Sequence, residues 1–403
     1  MLRESNNPSR SWLATPPAAS WPNPEETELN PYIKWRKLLW SWHHSIEKGW
    51  SDEDFINLIT AVDKEIAAID GNGFRITPSG EWEEVSEVLP DVCFWKDETV
   101  NVAGSHKARH LMGVSLHLAV EAVHSDRRLA ISSCGNAALA AATVARAVNR
   151  PIDVFIPTWA NPDVVKKLKD LGASIHVCER KAGEIGDPCM KRFQEAVQLG
   201  AFPFGVQATE NTMALDGGRS IGWELAEQIS TNQIDYLFVQ VGGGALLTSC
   251  VIGLLEAKKF GILDQIPKVC AVQTEGCAPF DRAWRGIPRF DTPDEKVDYA
   301  NENAEILMTP WQEPESLATG ILDDVTYDWL GVVRGLAHTG GESIVASEQQ
   351  IVDAHSLVNS LGVPAEPTGS AAVAGVMCAL NSGYIERQDR VGVLLTGIQH
   401  LSR

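Results

Sequence analysis

The stretch Asn101-Val102-Ala103-Gly104-Ser105-His106-Lys107-Ala108-Arg109 sets a lysine just after a Gly-Ser turn, where a helix running on through Leu111 and Met112 is expected to begin. Apolar neighbours disfavour a charged ammonium, and the positive end of a helix adds to that bias. Both push an amine towards its neutral, nucleophilic form. Lys107 is therefore a Schiff-base candidate, although most lysines are solvated surface groups and this stretch alone does not carry the assignment.

Two further stretches bear on it. Tyr236 to Val241 reads as a buried strand, followed by Gly242-Gly243-Gly244-Ala245-Leu246 and a new helix. Glycines in that place leave backbone N–H groups free to point at an anion at the helix's positive end, so Gly242 to Leu246 is a candidate phosphate cradle. A dinucleotide fingerprint would need glycine at Leu247, and no G-x-x-x-x-G-K run occurs, so a nucleotide site is disfavoured. The alternative is a bend that serves only close packing. Ser132-Ser133-Cys134-Gly135-Asn136-Ala137 repeats the logic, with a strand ending in small polar residues that open a helix. Such a loop suits a carboxylate, but Asn136 could equally be an ordinary helix cap.

The elements that must position these residues follow from periodicity and punctuation. Leu129–Ser133 is an expected strand, Ala137–Val148 an alanine-rich helix and Ile152–Ile156 a strand. Asn161-Pro162 opens a helix reaching Leu171, Gly172 ends it, and Ser174–Cys178 is the next strand. This βαβαβ pattern predicts an open α/β sheet. A second such region starts at Asp235, with later strands at Val269–Gln273 and Val391–Thr396, so the fold expected is two α/β units with the first inserted in the second. Upstream, Trp35, Leu38, Leu39, Trp42 and Ile46 recur at helical spacing over Tyr32–Trp50, and Asp52–Ile69 repeats the pattern after a Ser51 cap. The Trp stripe is expected to pack on the body of the protein or across a dimer. The first thirty or so residues, rich in Pro, Ser, Asn and Glu, read as a poorly ordered or surface-draped arm.

At 403 residues the chain is large enough for two domains with substantial cores. A formal charge of -19 argues against nucleic acid or an anionic membrane surface as partner. The eight cysteines contain no C-x-x-C pair and mostly sit in apolar runs, as reduced core thiols do. The N-terminus lacks the apolar core of a secretory signal, and no run approaches a membrane span in length. A soluble, cytoplasmic protein is expected.

Gly104-Ser105-His106-Lys107, Ser133-Cys134-Gly135-Asn136-Ala137, Gly242-Gly243-Gly244, Glu366-Pro367-Thr368-Gly369-Ser370-Ala371 and Leu395-Thr396-Gly397 stand in an order and spacing that resembles the fold type II pyridoxal-phosphate enzymes. Within that superfamily, which includes the tryptophan synthase β chain, the chain is most similar to the threonine synthase and threonine/serine dehydratase branch. Val272-Gln273-Thr274-Glu275-Gly276, Ser316-Leu317-Ala318-Thr319-Gly320-Ile321 and Ser347-Glu348 also resemble threonine synthase segments. The likeness runs from about Thr77 to the C-terminus. It implies an N-terminal arm and helical extension over residues 1–74, a large cofactor domain from 75–107 and 209–403, and a small mobile α/β domain over 108–208.

The resemblance further implies that Lys107 holds pyridoxal 5'-phosphate, Asn136 contacts its 3-oxygen and Gly242 to Leu246 hold its phosphate. Ser133, Cys134, Gly135, Asn136 and Ala137 would receive a substrate carboxylate, and Thr396 would face the pyridine nitrogen. The chain departs from the family in having His106 before the lysine, as the tryptophan synthase β chain does, and Ala108-Arg109-His110 after it. Cys134 stands where Ser, Thr or Gly is common.

A neutral hydroxyl at Thr396 cannot keep the ring protonated as a carboxylate would, which favours expulsion of a β or γ substituent over transamination. The expected function is a lyase eliminating the β substituent of a small amino acid to give ammonia and a 2-keto acid. A replacement synthase of the threonine synthase type is the alternative, and a silent cofactor-binding scaffold is the alternative from another class. The partners expected are an amino-acid substrate and a second copy of the chain, as a homodimer. His106, His110, His117 and His124 are expected on one helical face, but only the first pair is close enough to share an ion and no metal is expected. His106 is the candidate second proton carrier beside Lys107.

Overall fold

The structure, a computed structural model, describes residues 14–399 apart from 24, 84–86, 182, 183 and 185. The first part of the expected arm, residues 1–13, lies outside the described residues. The chain forms two compact units, one of Thr77–Val100 with Arg219–Gln399, the other of the residues up to Ile76 with Asn101–Gly218.

The larger unit is built on six strands: β1 (Ser79–Glu83), β2 (Val92–Asp97), β7 (Tyr236–Gln240), β8 (Lys268–Thr274), β9 (Ser343–Ala346) and β10 (Val391–Leu395). Their order is β1-β2-β10-β7-β8-β9, antiparallel only between β1 and β2. β10 is buried along its whole length and β7 and β8 along nearly all of theirs, the continuous apolar run that a parallel sheet covered on both faces requires. The small-residue helix Pro367–Asn381 lies on this sheet, with Ala371 to Ala374 fully buried.

The other unit carries a four-stranded parallel sheet, β5-β4-β3-β6, made of β3 (Leu129–Ser132), β4 (Ile152–Pro157), β5 (Ser174–Cys178) and β6 (Phe202–Pro203). The βαβαβ reading holds: Asn161 caps the helix Pro162–Asp170 through its side chain, and Gly172 turns the chain at φ 85°. Helix Asn136–Ala147 packs against both the helix Lys107–Val120 and the turn Val102–Gly104, and alanine at most of its positions allows that approach.

The N-terminal segment differs from expectation. In place of one helix over Tyr32–Trp50 there are three short pieces, Pro31–Lys34, Arg36–Leu38 and Trp40–Glu47, because Trp35 leaves the helical range and Leu39 adopts an extended conformation. Trp35, Leu38 and Leu39 are buried as predicted, but past the break the phase changes. Ser41, His43 and Ser45 now face inward and Ile46 is exposed. The next helix, Asp52–Asp70, starts as expected with a capping box between Ser51 and Asp54.

The segment is bonded to the helix that carries Lys107. Tyr32 Oη donates to the Arg109 carbonyl at 2.8 Å, and the Asp216 carboxylate accepts from the Trp40 and Ser41 amides at 2.9 and 3.0 Å. The same carboxylate lies 2.9 Å from His117 Nε2. All eight cysteines are reduced, with only Cys134 and Cys378 partly exposed. Among the described residues no helix is long and apolar enough to cross a membrane.

Candidate active site

Lys107 is the first residue of the helix Lys107–Val120 and is half-buried, whereas its neighbours Ser105, His106, Ala108 and Arg109 are buried. No side chain caps this helix end. The approach to it is a tight turn with Ala103 at φ 54° and ψ 24°, a left-handed conformation unusual for a residue with a Cβ. Asp70 accepts from the Ala103 amide at 3.2 Å, and burial raises the Asp70 carboxyl above its usual range.

His106 is 7 % exposed, and neither its Nδ1 nor the Ser105 hydroxyl has a hydrogen-bond partner among the described residues. Burial holds its imidazole well below the usual histidine range, helped by the charges of Lys107, His110 and Arg109. It is therefore neutral at neutral pH, able to accept a proton or relay one. The other histidines separate. His110 is 5.9 Å from His106 ring to ring but bonds the Ala214 carbonyl through Nδ1, and His117 pairs with Asp216. His124 is not on the expected helical face, because the helix ends at Val120 and its side chain is exposed. Among the described residues no group of three or more His, Cys, Asp or Glu is arranged to hold a metal ion.

Ser133, Cys134, Gly135 and Asn136 form a partly accessible loop at the C-terminal end of β3, where open α/β sheets bind ligands. The Ser133 amide donates to Phe155 of the neighbouring β4, and Ser133 Oγ lies 3.5 Å from the Gly135 amide. Asn136 is not the cap of the helix it opens. Gly135 holds that position and no side chain caps the end.

In the larger unit, Gly242, Gly243 and Gly244 join β7 to the helix Ala245–Lys259, and here too no side chain caps the helix. Gly244 has φ 94°, which a residue with a Cβ avoids. A Cβ on Gly242 would lie 2.6 Å from Asp323 Oδ2 and 2.9 Å from Ile321 Cα, and the Gly243 carbonyl is held by the Asp328 amide at 2.7 Å. The turn thus has little room for a side chain at Gly242, and the helix start it leads into is uncapped, the kind of end whose N–H groups bind anions.

Thr396 directly follows β10 and is 2 % exposed. Its amide donates to the Gly369 carbonyl at 3.0 Å, and a Cβ on Gly369 would meet the Thr396 and Gly397 carbonyls at 2.6 Å. The Glu366–Ala371 motif therefore serves to bring the helix Pro367–Asn381 against the end of β10. The neighbouring motifs are joints of the same kind. Gln273 Oε1 accepts from the Phe280 and Asp281 amides, Glu275 from the Glu348 amide, and Thr368 from the Gly320 amide.

Lys107, His106 and the Ser133–Ala137 loop thus belong to one unit, and Gly242–Leu246 with Thr396 to the other. Sequence reasoning missed Gln240, Asp323 and Asp216. Only Gln240 leaves a local signal, as a polar residue closing the apolar run Tyr236–Val239. The residues present fit pyridoxal phosphate by their chemistry: a half-buried lysine at a helix start, a glycine turn with no room for a Cβ at Gly242 leading into an uncapped helix, and a buried hydroxyl at a strand end.

Comparison with known proteins agrees. A threonine synthase of Methanosarcina acetivorans is 28% identical over 189 residues, 46% of this chain and 42% of that protein, so the match spans less than half the relative's length. A serine dehydratase-like protein of Rattus norvegicus is 31% identical over 209 residues, 52% of this chain and 59% of that protein. The processed threonine deaminase isoform 2 of Solanum lycopersicum superposes with a TM-score of 0.64 at 16% identity, covering 87% of this chain and 86% of that one, a likeness of fold. The family model described as pyridoxal-phosphate dependent enzyme matches residues 72–397, and the chain belongs to that family, with the α/β architecture of its fold type II members.

Proposed function

We propose that the protein is a pyridoxal-phosphate-dependent lyase that eliminates the β substituent of a small, hydroxylated or otherwise β-substituted amino acid, releasing ammonia and a 2-keto acid. The observation that carries this reading is the buried hydroxyl, in place of a carboxylate, at Thr396. The cofactor supplies an electron sink conjugated to the substrate amine. Lys107 is the amine that holds it, and the same Nζ is the base for the substrate's Cα proton. Neutral His106 accepts or passes on a proton beside it. The Ser133–Ala137 loop takes the substrate carboxylate, Asn136 the cofactor's 3-oxygen, and Gly242–Leu246 its phosphate. Thr396 would be the neutral partner of the ring nitrogen, a hydroxyl that could donate a hydrogen bond without supplying the charge a carboxylate would, which would favour loss of a leaving group.

A replacement reaction on a phosphorylated homoserine is the second reading, favoured by the likeness to the Methanosarcina threonine synthase. One experiment separates them. The wild type and Lys107→Ala are loaded with cofactor, treated with borohydride and mapped by mass spectrometry, and the wild type is screened for keto acid, ammonia and phosphate release. Reduction should fix the label at Lys107, and Lys107→Ala should lose activity by roughly 10²–10⁴-fold or more. A label retained by Lys107→Ala would end the assignment, and threonine formed with phosphate release would select the replacement reaction.

A further inference from the structure

β7 ends at Gln240 and β10 at Leu395, and the two strands run parallel as neighbours with Val393 opposite Phe238. Carried on, this register sets Gln240, 4 % exposed, beside Leu395, and its side chain reaches the next residue, Thr396. Gln240 Nε2 lies 2.5 Å from Thr396 Oγ1 and 3.4 Å from the Gly369 carbonyl oxygen. A carbonyl oxygen only accepts, so the Gly369 carbonyl fixes which end of the carboxamide faces this corner: the nitrogen does, and Oε1 points away. Oε1 has no hydrogen-bond partner among the described residues, a desolvation cost that this orientation carries. The hydroxyl of Thr396 consequently accepts from Gln240, and its own proton is left to be donated.

We infer that Gln240 is a positioning residue that makes Thr396 a hydrogen-bond donor, and so delivers an O–H, rather than a lone pair, to an acceptor such as the ring nitrogen. The inference rests on the proposed placement of the ring against Thr396. It assigns a residue outside the cradle and the lysine loop to control of reaction outcome. Without the Gln240 amide nothing holds the hydroxyl as an acceptor on that side, and its proton is no longer committed to the ring nitrogen.

The test uses the full-length protein loaded with pyridoxal phosphate labelled with ¹⁵N in the ring, as wild type, Gln240→Met, Thr396→Val and the double variant. The readouts are the ring ¹⁵N chemical shift, cofactor affinity and the ratio of transamination to elimination. Thr396→Val should move the resonance and weaken cofactor binding about tenfold, the scale of one buried hydrogen bond. Gln240→Met should move both in the same direction, and adding it to Thr396→Val should change nothing further. A merely structural glutamine would instead give additive losses, and additivity, or an unmoved resonance in Gln240→Met beside a moved one in Thr396→Val, overturns the inference. If Thr396→Val itself leaves the resonance in place, the placement of the ring against Thr396 fails first and the inference falls with it. Thr396→Ser, which keeps the hydroxyl, should restore the wild-type resonance.

Discussion

His106 is held neutral by burial and by the positive charges around it, so acid works against the folded state at this residue. The folded form binds its proton only well below the unfolded value of about 6.5, so between those two limits the unfolded chain carries more protons and stability falls as pH falls. His43, lowered by burial, adds in the same direction. Unfolding by urea at pH 7.5 and 5.5 should show the wild type losing up to about 1.4 kcal/mol per pH unit through His106, with the slope reduced in His106→Gln. An unchanged slope would mean that the imidazole is solvated. At the cradle, the 2.6 Å between a Cβ on Gly242 and the Asp323 carboxylate makes Gly242→Ala a displacement of the loop rather than a filling of space. That variant should lose about 1–3 kcal/mol of cofactor binding, measured by equilibrium dialysis.

At the scale of elements, the N-terminal segment is part of the scaffold for the lysine helix. Asp216 joins the start of Trp40–Glu47 to His117, three turns along the helix that Lys107 opens. Asp216→Ala strips a charge-assisted acceptor from two amides and an imidazole, and should cost about 3 kcal/mol in chemical denaturation followed by tryptophan fluorescence. A loss below that of an ordinary surface substitution would show the segment to be decorative.

The same elements show what a sequence displays. Strands β3, β4, β5, β7, β8 and β10 were readable because each is a short apolar run punctuated by Gly, Pro or Asn, signals that act locally. The helix starts at Lys107 and after Gly244 were legible because Gly-Ser and Gly-Gly-Gly signal them within a few residues, whereas Thr396, which follows the last strand, was singled out only through the family resemblance. The Asp216–His117 pair, 99 residues apart in sequence, has no local trace. Periodicity also misled where it was carried past an element's end. Leu39 breaks the Trp stripe, and beyond Val120 the left-handed Ala122 takes the chain out of the helix before His124.

Over the whole molecule, a formal charge of -19 repels an anionic cofactor at long range, while the proposed cradle would attract it only within its own few ångströms. Salt screens the first effect more than the second, with a screening length of about 30 Å at 0.01 M falling to about 10 Å at 0.1 M. Stopped-flow association of pyridoxal phosphate should therefore quicken as salt rises over that range, and a slowing would locate a positive field not evident from the composition. The sheet order has its own outcome during synthesis. β2 can pair only with β1 and β10, and β10, which ends at Leu395, is the central link of the six strands. Residues 77–100 leave the ribosome long before β10 is made and keep an unfilled edge until Val391–Leu395 has emerged, while the inserted four-stranded unit can already close on itself. Nascent chains halted before Val391 should thus protect the 101–218 region from protease and leave 77–100 open to cleavage.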